Sequence, residues 1–460
     1  MKKIISVIIA VITALCAASP AFSEDAKDKT ADFIPVIRFI ASSDTHMRGE
    51  NEVFNPRLGM ALEATYALAD ADENYNSLDA VIVAGDLTHD GTKAQFDAFK
   101  KELDSSLRDE TESLCVVAKN HDGYEMKRAE MREYYSSVTG KAPDFHTVIN
   151  GYHFIGISAS EKDGVHYDTT QLSWLKKQLD EAIKDDPSRP VFVIHHEPSM
   201  GTTYGSNLLN VGVPYFRSVL NNYPQVVEFC GHSHYPLNDP RSIWQGEYTA
   251  VNTGAFYYID FYVEGYTGYT PGGAYDISTY WVVELDEANR MRLRGMQVYT
   301  GACLCEYIID NPADPANREY TPAKQKAASK PPVFKSDAKP SVTAGYGTCH
   351  IVSPLAQSAD GMPVVMYRAY AKDEAGFIVA KAWALPKYYT SEEQSEIEFD
   401  LEGLGKGEHT VYIIAENAYG MQSEPIETTI TVDGDNAFVS FFNRIALWFN
   451  DLIKKIKAIF

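Results

Sequence analysis

Short, nearly continuous apolar runs at 36–41, 80–84, 114–118, 154–157, 191–194 and 226–229 alternate with longer amphipathic stretches. Runs of that length suit strands buried on both faces, as in a sheet covered by helices. The stretches between them, 56–69, 92–107, 124–135 and 169–183, repeat apolar residues at helical spacing. In the last, Leu172, Leu175, Leu179 and Ile183 form one stripe, and Asp168 or Thr169 stands where an N-cap is needed. The pattern predicts an α/β domain over residues 24–309.

The rhythm then changes. Residues 310–333 hold five prolines and no apolar period, which predicts an extended linker. From 334 to 432, alternating runs at 364–370, 378–384, 397–401, 410–415 and 426–432 are separated by glycine-bearing turns, the pattern of an all-β sandwich. The stretch 404–420, LGKGEHTVYIIAENAYG, resembles the late strands of a fibronectin type III domain, with His409 where that family places its corner tyrosine. The end of the chain, 437–460, sets Phe441, Phe442, Ile445, Trp448, Phe449 and Leu452 at helical spacing against Lys454, Lys455 and Lys457. This predicts an amphipathic helix too charged to span a bilayer. Two fates fit it equally: packing on the protein's own domains, or peripheral contact with a membrane.

Lys2 and Lys3, an apolar run and the small residues before position 24 read as a signal peptide over residues 1–23, which places the protein outside the cytoplasm. The formal net charge of −22 argues against duplex nucleic acid, whose backbone demands neutralising cations. A small phosphoester stays compatible, because bound cations reverse the field locally. Cys115 and Cys230 lie in apolar runs and are expected as buried thiols, and Cys303 and Cys305 stand too close for an unstrained bridge.

Five motifs follow in order: Asp44-Thr45-His46, Gly85-Asp86, Asn120-His121-Asp122, His195-His196 and Gly231-His232-Ser233-His234. Each falls at the end of a predicted strand, where loops present side chains at a sheet's carboxyl edge. In this order, over roughly residues 35–300, the chain resembles the calcineurin-like metallophosphoesterases. The resemblance implies a four-layer α/β/β/α sandwich and a two-metal centre. Carried over position by position, Asp44, His46 and His234 would hold one ion, Asn120, His195 and His232 the other, and Asp86 would bridge them. His121 would protonate the leaving oxygen or stabilise charge, with Asp122 orienting it and His196 and Glu197 behind the ligands. Two positions depart from the pattern: Lys119 stands where the family has glycine, and His89 where the purple acid phosphatase branch has its iron-binding tyrosine. No tyrosinate-bound iron is therefore expected.

A mixed set of imidazole, carboxylate and amide donors suits Mn, Fe or Zn rather than Mg or Ca. Two such ions can generate hydroxide and neutralise the charge of a phosphoryl group. The expected function is a secreted or surface phosphoesterase that cleaves a phosphodiester by attack of that hydroxide. Two alternatives stand beside it: a phosphomonoesterase of the same mechanism, and a catalytically dead surface binding protein. Eight tyrosines between 248 and 280 suit either a strand-rich segment or a surface that stacks on a base or sugar.

Overall fold

The computed structural model describes residues 32–49, 55–263, 268–433 and 445. The signal segment 1–23 and, Ile445 apart, the amphipathic stretch 437–460 lie outside the described residues. Two compact units divide the chain, one reaching to Gln325 and including Tyr389–Ser391, the other starting at Lys326. No helix among the described residues is long and apolar enough to cross a membrane.

The first unit runs β1 (Pro35–Ser42), α1 (Arg57–Asp70), β2 (Ala80–Ala84), α2 (Lys93–Ser106), β3 (Glu112–Val116), α3 (Arg128–Thr139), β4 (Phe145–Ile149), β5 (Tyr152–Gly156), α4 (Thr169–Asp185), β6 (Val191–His195), α5 (Arg217–Leu220), β7 (Val226–Cys230), β8 (Ile243–Gln245), β9 (Thr249–Asn252), β10 (Thr279–Asp286), β11 (Met291–Gln297) and β12 (Cys303–Ile309). Asp168 is the N-cap of α4, its carboxylate accepting from the Thr170 and Gln171 amides while Gln171 reaches back to the Asp168 amide. The segment expected as an extended linker instead holds a short helix, α6 (Pro322–Ala328). Before it, Arg318 donates to the carbonyl oxygens of Gly246 and Pro224, so this proline-bearing segment is tied down by a buried guanidinium.

Two six-stranded sheets result, β12-β11-β10-β1-β2-β3 and β4-β5-β6-β7-β9-β8. Alternation along each strand divides the core into layers. Phe39, Ile82, Val116 and Val283 of the first sheet meet Phe154, Phe192, Ile194 and Phe229 of the second. The opposite faces carry Ile40, Val81 and Val83 against α1, α2 and α3, and Val191 and Val193 against α4. The order is therefore helix, sheet, sheet, helix, as expected. Within the sheets β1, β2 and β3 are parallel, as are β5, β6, β7 and β9, so the carboxyl ends of each set share one edge.

The second unit is all β: β13 (Ser341–Ala344), β14 (Thr348–Pro354), β15 (Val364–Asp373), β16 (Ile378–Ala384), β17 (Glu396–Glu402), β18 (Gly407–Asn417) and β19 (Ile426–Val432). They pair as β13-β14-β17 and β16-β15-β18-β19. Their inward residues, among them Ile351, Tyr367, Phe399, Leu401, Val411 and Ile413, form one core. His409 is buried at the start of β18, and its Nε2 donates to the Gly405 carbonyl at 2.7 Å. A corner tyrosine makes the same bond back to the backbone with its hydroxyl.

Beneath the first sheet lies a buried ionic cluster. Glu284 on β10 accepts from Arg38 Nε at 2.6 Å, Arg292 Nε at 2.8 Å and Arg294 Nη2 at 2.9 Å. Burial alone would raise its pKa, but Arg294, Arg292 and Arg38 draw it from 4.5 down to about 2. The folded value lies below the unfolded one, so the carboxylate's stabilisation is full above pH 4.5 and is lost as pH falls towards 2. Glu284→Gln is expected to cost about 3–5 kcal/mol at neutral pH, the cost of leaving buried cations unpaired. Urea unfolding across pH checks this: the gap between wild type and variant should narrow below pH 4.5.

Candidate metal centre

Main-chain bonds stitch the loop after β1 to that after β2, and the loop after β6 to that after β7. Asp44 N donates to Gly85 O, His46 N to Asp86 O, and Gly231 N to His196 O. Within these loops Asp44, His46, Asp86, His232 and His234 all have left-handed φ, between 45° and 66°. They are five of the eight non-glycine residues with positive φ among those described. Such backbone is disfavoured for side chains with a Cβ and survives where surrounding contacts over-determine it, most often at functional sites. Gly85, at φ 86°, has a separate reason to be glycine: a Cβ there would lie 2.6 Å from the His196 ring. A Cβ on Gly231 would meet Ser43 and, at 2.8 Å, Asp44 Oδ2.

Among the described residues the donor atoms form three groups, each within 4.8 Å: two contain a carboxylate, Asp44 with His46 and His234 and Asp86 with His196 and His232, and the third is the all-imidazole set of His46, His89 and His121. Asp44 Oδ2 is held by the Ser43 hydroxyl and by His232 N at 3.0 Å, which leaves Oδ1 facing His234 Nε2 at 3.0 Å and His46 Nε2 at 3.7 Å. Asp86 Oδ2 lies 3.1 Å from His196 Nε2 and 3.9 Å from His46 Nε2, between the groups, where a bridging carboxylate would stand. Asn120 Nδ2 approaches both Asp86 Oδ2 at 3.1 Å and His232 Nδ1 at 3.3 Å. Main-chain carbonyls fix the rings from behind. His196 Nδ1 donates to Ala84 O, His232 Nε2 to Asn210 O and His234 Nδ1 to Tyr258 O, so each ring turns its other nitrogen inward.

Two assignments are corrected. His195 stands outside the centre: its Nε2 binds Glu228 at 2.6 Å, its Nδ1 lies 3.2 Å from the Tyr167 hydroxyl, and its ring stacks on Phe216. His196 takes its place. The reason is strand parity, since β6 sends Val191, Val193 and then His195 to the helix face, and Phe192, Ile194 and then His196 between the sheets. Alternation counted from the apolar residues would have found this in the sequence. Asp122, expected to orient His121, is buried elsewhere: it accepts from Thr88 N, Thr88 Oγ1 and Ala118 N, each at 2.8 Å, and so ties the β2 loop to the β3 loop. Burial first, and Asp86 second, raise its pKa to about 6. His121 Nδ1 instead donates to His89 O at 2.7 Å, and its ring packs edge-on against His46 at 4.3 Å. Lys119 keeps negative φ, so the absent glycine costs the loop nothing, and its Nζ lies 2.8 Å from His166 Nε2. His166 Nδ1 in turn lies 3.2 Å from Glu197 Oε1, in a polar row beside the second group.

The charges make sense only with cations present. Burial would raise Asp44, yet His234 and His196 hold it well below the usual carboxylate range. Burial lowers His46 to about 4, leaving it neutral as a ligand must be. For His196, burial is overcome by Asp86 and Asp44, which push the ring well above its ordinary value. Asp44 Oδ1, His46 Nε2, Asp86 Oδ1, Asn120 Oδ1 and His196 Nε2 are all buried without a well-formed hydrogen bond, although Asp44 Oδ1 and His196 Nε2 each lie in an ion-pair contact with a neighbour of the centre. Buried polar atoms are normally paired, and five without such bonds converging on two points fit a pair of metal ions. After reconstitution with Mn or Zn, His196→Ala is expected to retain one ion fewer than wild type, and Asp86→Asn to weaken both sites. His195→Gln, which keeps a donor towards Glu228, should retain two. Elemental analysis of folded variants decides, and the reverse order of His195 and His196 would sink the assignment.

Residues 37–236 match the calcineurin-like phosphoesterase family. A probable glycerophosphodiester phosphodiesterase of Arcobacter nitrofigilis is 27% identical over 200 residues, 42% of this chain and 70% of that protein. Among solved structures, a purple acid phosphatase from yellow lupin (Lupinus luteus) aligns with TM-score 0.42 at 13% identity, covering 60% of this chain and 53% of the other. Fibronectin(III)-like modules of Clostridium thermocellum CbhA align with TM-score 0.14 at 14% identity, covering 37% and 68%. Over residues 37–236 the chain carries a calcineurin-like metallophosphoesterase domain, the domain of a metal-dependent hydrolase.

Proposed function

We propose that the protein hydrolyses a small phosphodiester outside the cytoplasm. The observation that carries the reading is the convergence of buried donor atoms without well-formed hydrogen bonds, from Asp44, His46, Asp86, Asn120 and His196, on two points. Asp44, His46 and His234 would hold one divalent ion, Asn120, His196 and His232 the other, with Asp86 between. When bound, Mn, Fe or Zn ions supply Lewis acidity for the phosphoryl group and for the water that attacks it. The diester preference is supported by the relative from Arcobacter nitrofigilis. The extracytoplasmic location is supported by the N-terminal segment 1–23, and the net charge of −22 speaks against duplex nucleic acid as substrate. The 3 + 4 strand pairing and the His409 corner support a fibronectin type III-like second unit.

His121 acts on the proton. A carbonyl can only accept, so the bond to His89 O places hydrogen on Nδ1 and leaves Nε2 to carry a proton to the leaving oxygen. His121→Ala is expected to keep its metal and lose roughly 10²- to 10⁴-fold in kcat. The loss should be much smaller for bis(p-nitrophenyl) phosphate, whose leaving group needs no protonation, than for an alkyl diester. Equal losses would make His121 a charge stabiliser instead. Wild type loaded with Mn or Zn should turn over bis(p-nitrophenyl) phosphate faster than p-nitrophenyl phosphate, and the opposite preference points to the monoesterase.

We also propose peripheral membrane contact through residues 437–460. Their removal should abolish binding to anionic vesicles at low salt while hydrolysis of a soluble diester persists. Full-length protein that ignores such vesicles ends this proposal.

A further inference from the structure

The tyrosines between 248 and 280 separate into groups with different work. Tyr248 and Tyr280 are core residues. Tyr257 and Tyr258 instead wall the metal centre, with the Tyr257 ring 4.9 Å from His46 and the Tyr258 ring 4.2 Å from His234. Tyr275 continues this wall outward, 5.4 Å from Tyr257 and 5.1 Å from Tyr258, and it is 46% exposed. A large ring left that open beside a reaction centre has surface to offer a ligand.

The wall is also held in place. Arg57, fully buried on α1, donates Nη1 to the carbonyls of Phe256, at 2.7 Å, and of Tyr257, and Nη2 to the carbonyl of Tyr275. Its Nε donates to the Tyr299 hydroxyl at 2.7 Å. One guanidinium therefore locks the main chain of both tyrosine-bearing loops, so little order is lost when a ligand binds.

We infer that Tyr275, backed by Tyr257 and Tyr258, is a stacking platform for a planar ring on the substrate, so that the favoured diester bears a nucleoside or aryl group. The inference rests on the phosphodiesterase reading above. A tyrosine face accepts either a π ring or an organic cation. Charge selects between them: the Arg48 guanidinium already lies over the Tyr257 ring at 5.2 Å, and the centre itself takes up cations. On the Tyr257 side an ammonium group would meet like charge, whereas a neutral ring would not, and the Asp260 carboxylate lies on the Tyr258 side.

Three substrates with one leaving group test it: thymidine 5′-(p-nitrophenyl phosphate), methyl p-nitrophenyl phosphate and p-nitrophenyl phosphocholine. In Tyr275→Ala the ratio of kcat/KM for the thymidine ester over the methyl ester should fall roughly 5- to 100-fold, the usual worth of one stacked base. Tyr275→Phe should keep the ratio. An unchanged ratio in the alanine variant, a matching fall in Tyr275→Phe, or a loss confined to the phosphocholine ester would overturn the platform. If wild type cleaves none of the three, the proposed function fails by itself. The platform is then judged by calorimetry on the metal-loaded protein, where Tyr275→Ala should weaken AMP several-fold more than methyl phosphate. Equal weakening rejects it.

Discussion

Two carboxylates, Asp44 and Asp86, lie buried on either side of one histidine nitrogen, and the rest of the domain answers to that concentration of negative charge. Burying one unpaired anion is costly, and burying two side by side is tolerable only when cations share the space. Protons on His196 and His234 would meet the need in part, and Asp86 and Asp44 push the pKa values of these rings up against the effect of burial. Divalent ions meet it better, since they also satisfy the orphaned oxygens and nitrogens that protons cannot reach. The left-handed backbone at Asp44, His46, Asp86, His232 and His234 costs of order 1–3 kcal/mol per residue. That strain is borne by a core in which strands β1, β2, β6 and β7 are wholly or nearly buried.

Neither sheet holds the centre alone. Asp44, His46, Asp86 and Asn120 come from loops of the first sheet, and His196, His232 and His234 from loops of the second. The separation of the two ligand sets is thus set by how the sheets pack. Phe39 of β1 meets Phe154, Phe192 and Phe229 edge-on, with centroids 5.1–5.8 Å apart, and so fixes the spacing between the sheets. Interiors packed this tightly transmit small displacements rather than absorb them. A fault between the sheets is therefore felt at the ligands.

This dependence on packing explains what the sequence disclosed and what it hid. Strand-loop alternation and the order of the motifs singled out Asp44, His46, Asp86, Asn120, His232 and His234, and the fold brings these side chains together, because each lies on a loop where chain position nearly determines place. His195 and His196 differ only in which face of β6 they occupy, and a motif read as a string carries no face. The parity of Val191, Phe192, Val193 and Ile194 carries it. Asp122 was misread for another reason: adjacency to His121 suggested a partnership, but a buried carboxylate binds whichever amides the fold brings near. Those belong to Thr88 and Ala118, and only folding brings Thr88 there. The segment 310–333 read as extended because proline hides the short helix and the arginine anchor within it.

The main-chain carbonyls behind the rings complete the logic. Ala84 O at the end of β2, His89 O in the loop that follows it, and Asn210 O and Tyr258 O farther along the chain each take the outer N–H of one imidazole. The backbone thereby sets which nitrogen of these four rings faces inward before any ligand arrives. For His196 and His234 the inner nitrogen lies beside a carboxylate oxygen, at 3.1 and 3.0 Å, so that an ion held there would be shared between ring and carboxylate. His121 receives the same treatment from His89, but its ring lies edge-on to His46 rather than against an aspartate. One device, a carbonyl behind a ring, therefore serves both proposed roles, and what lies in front of the ring would decide between holding a cation and handling a proton.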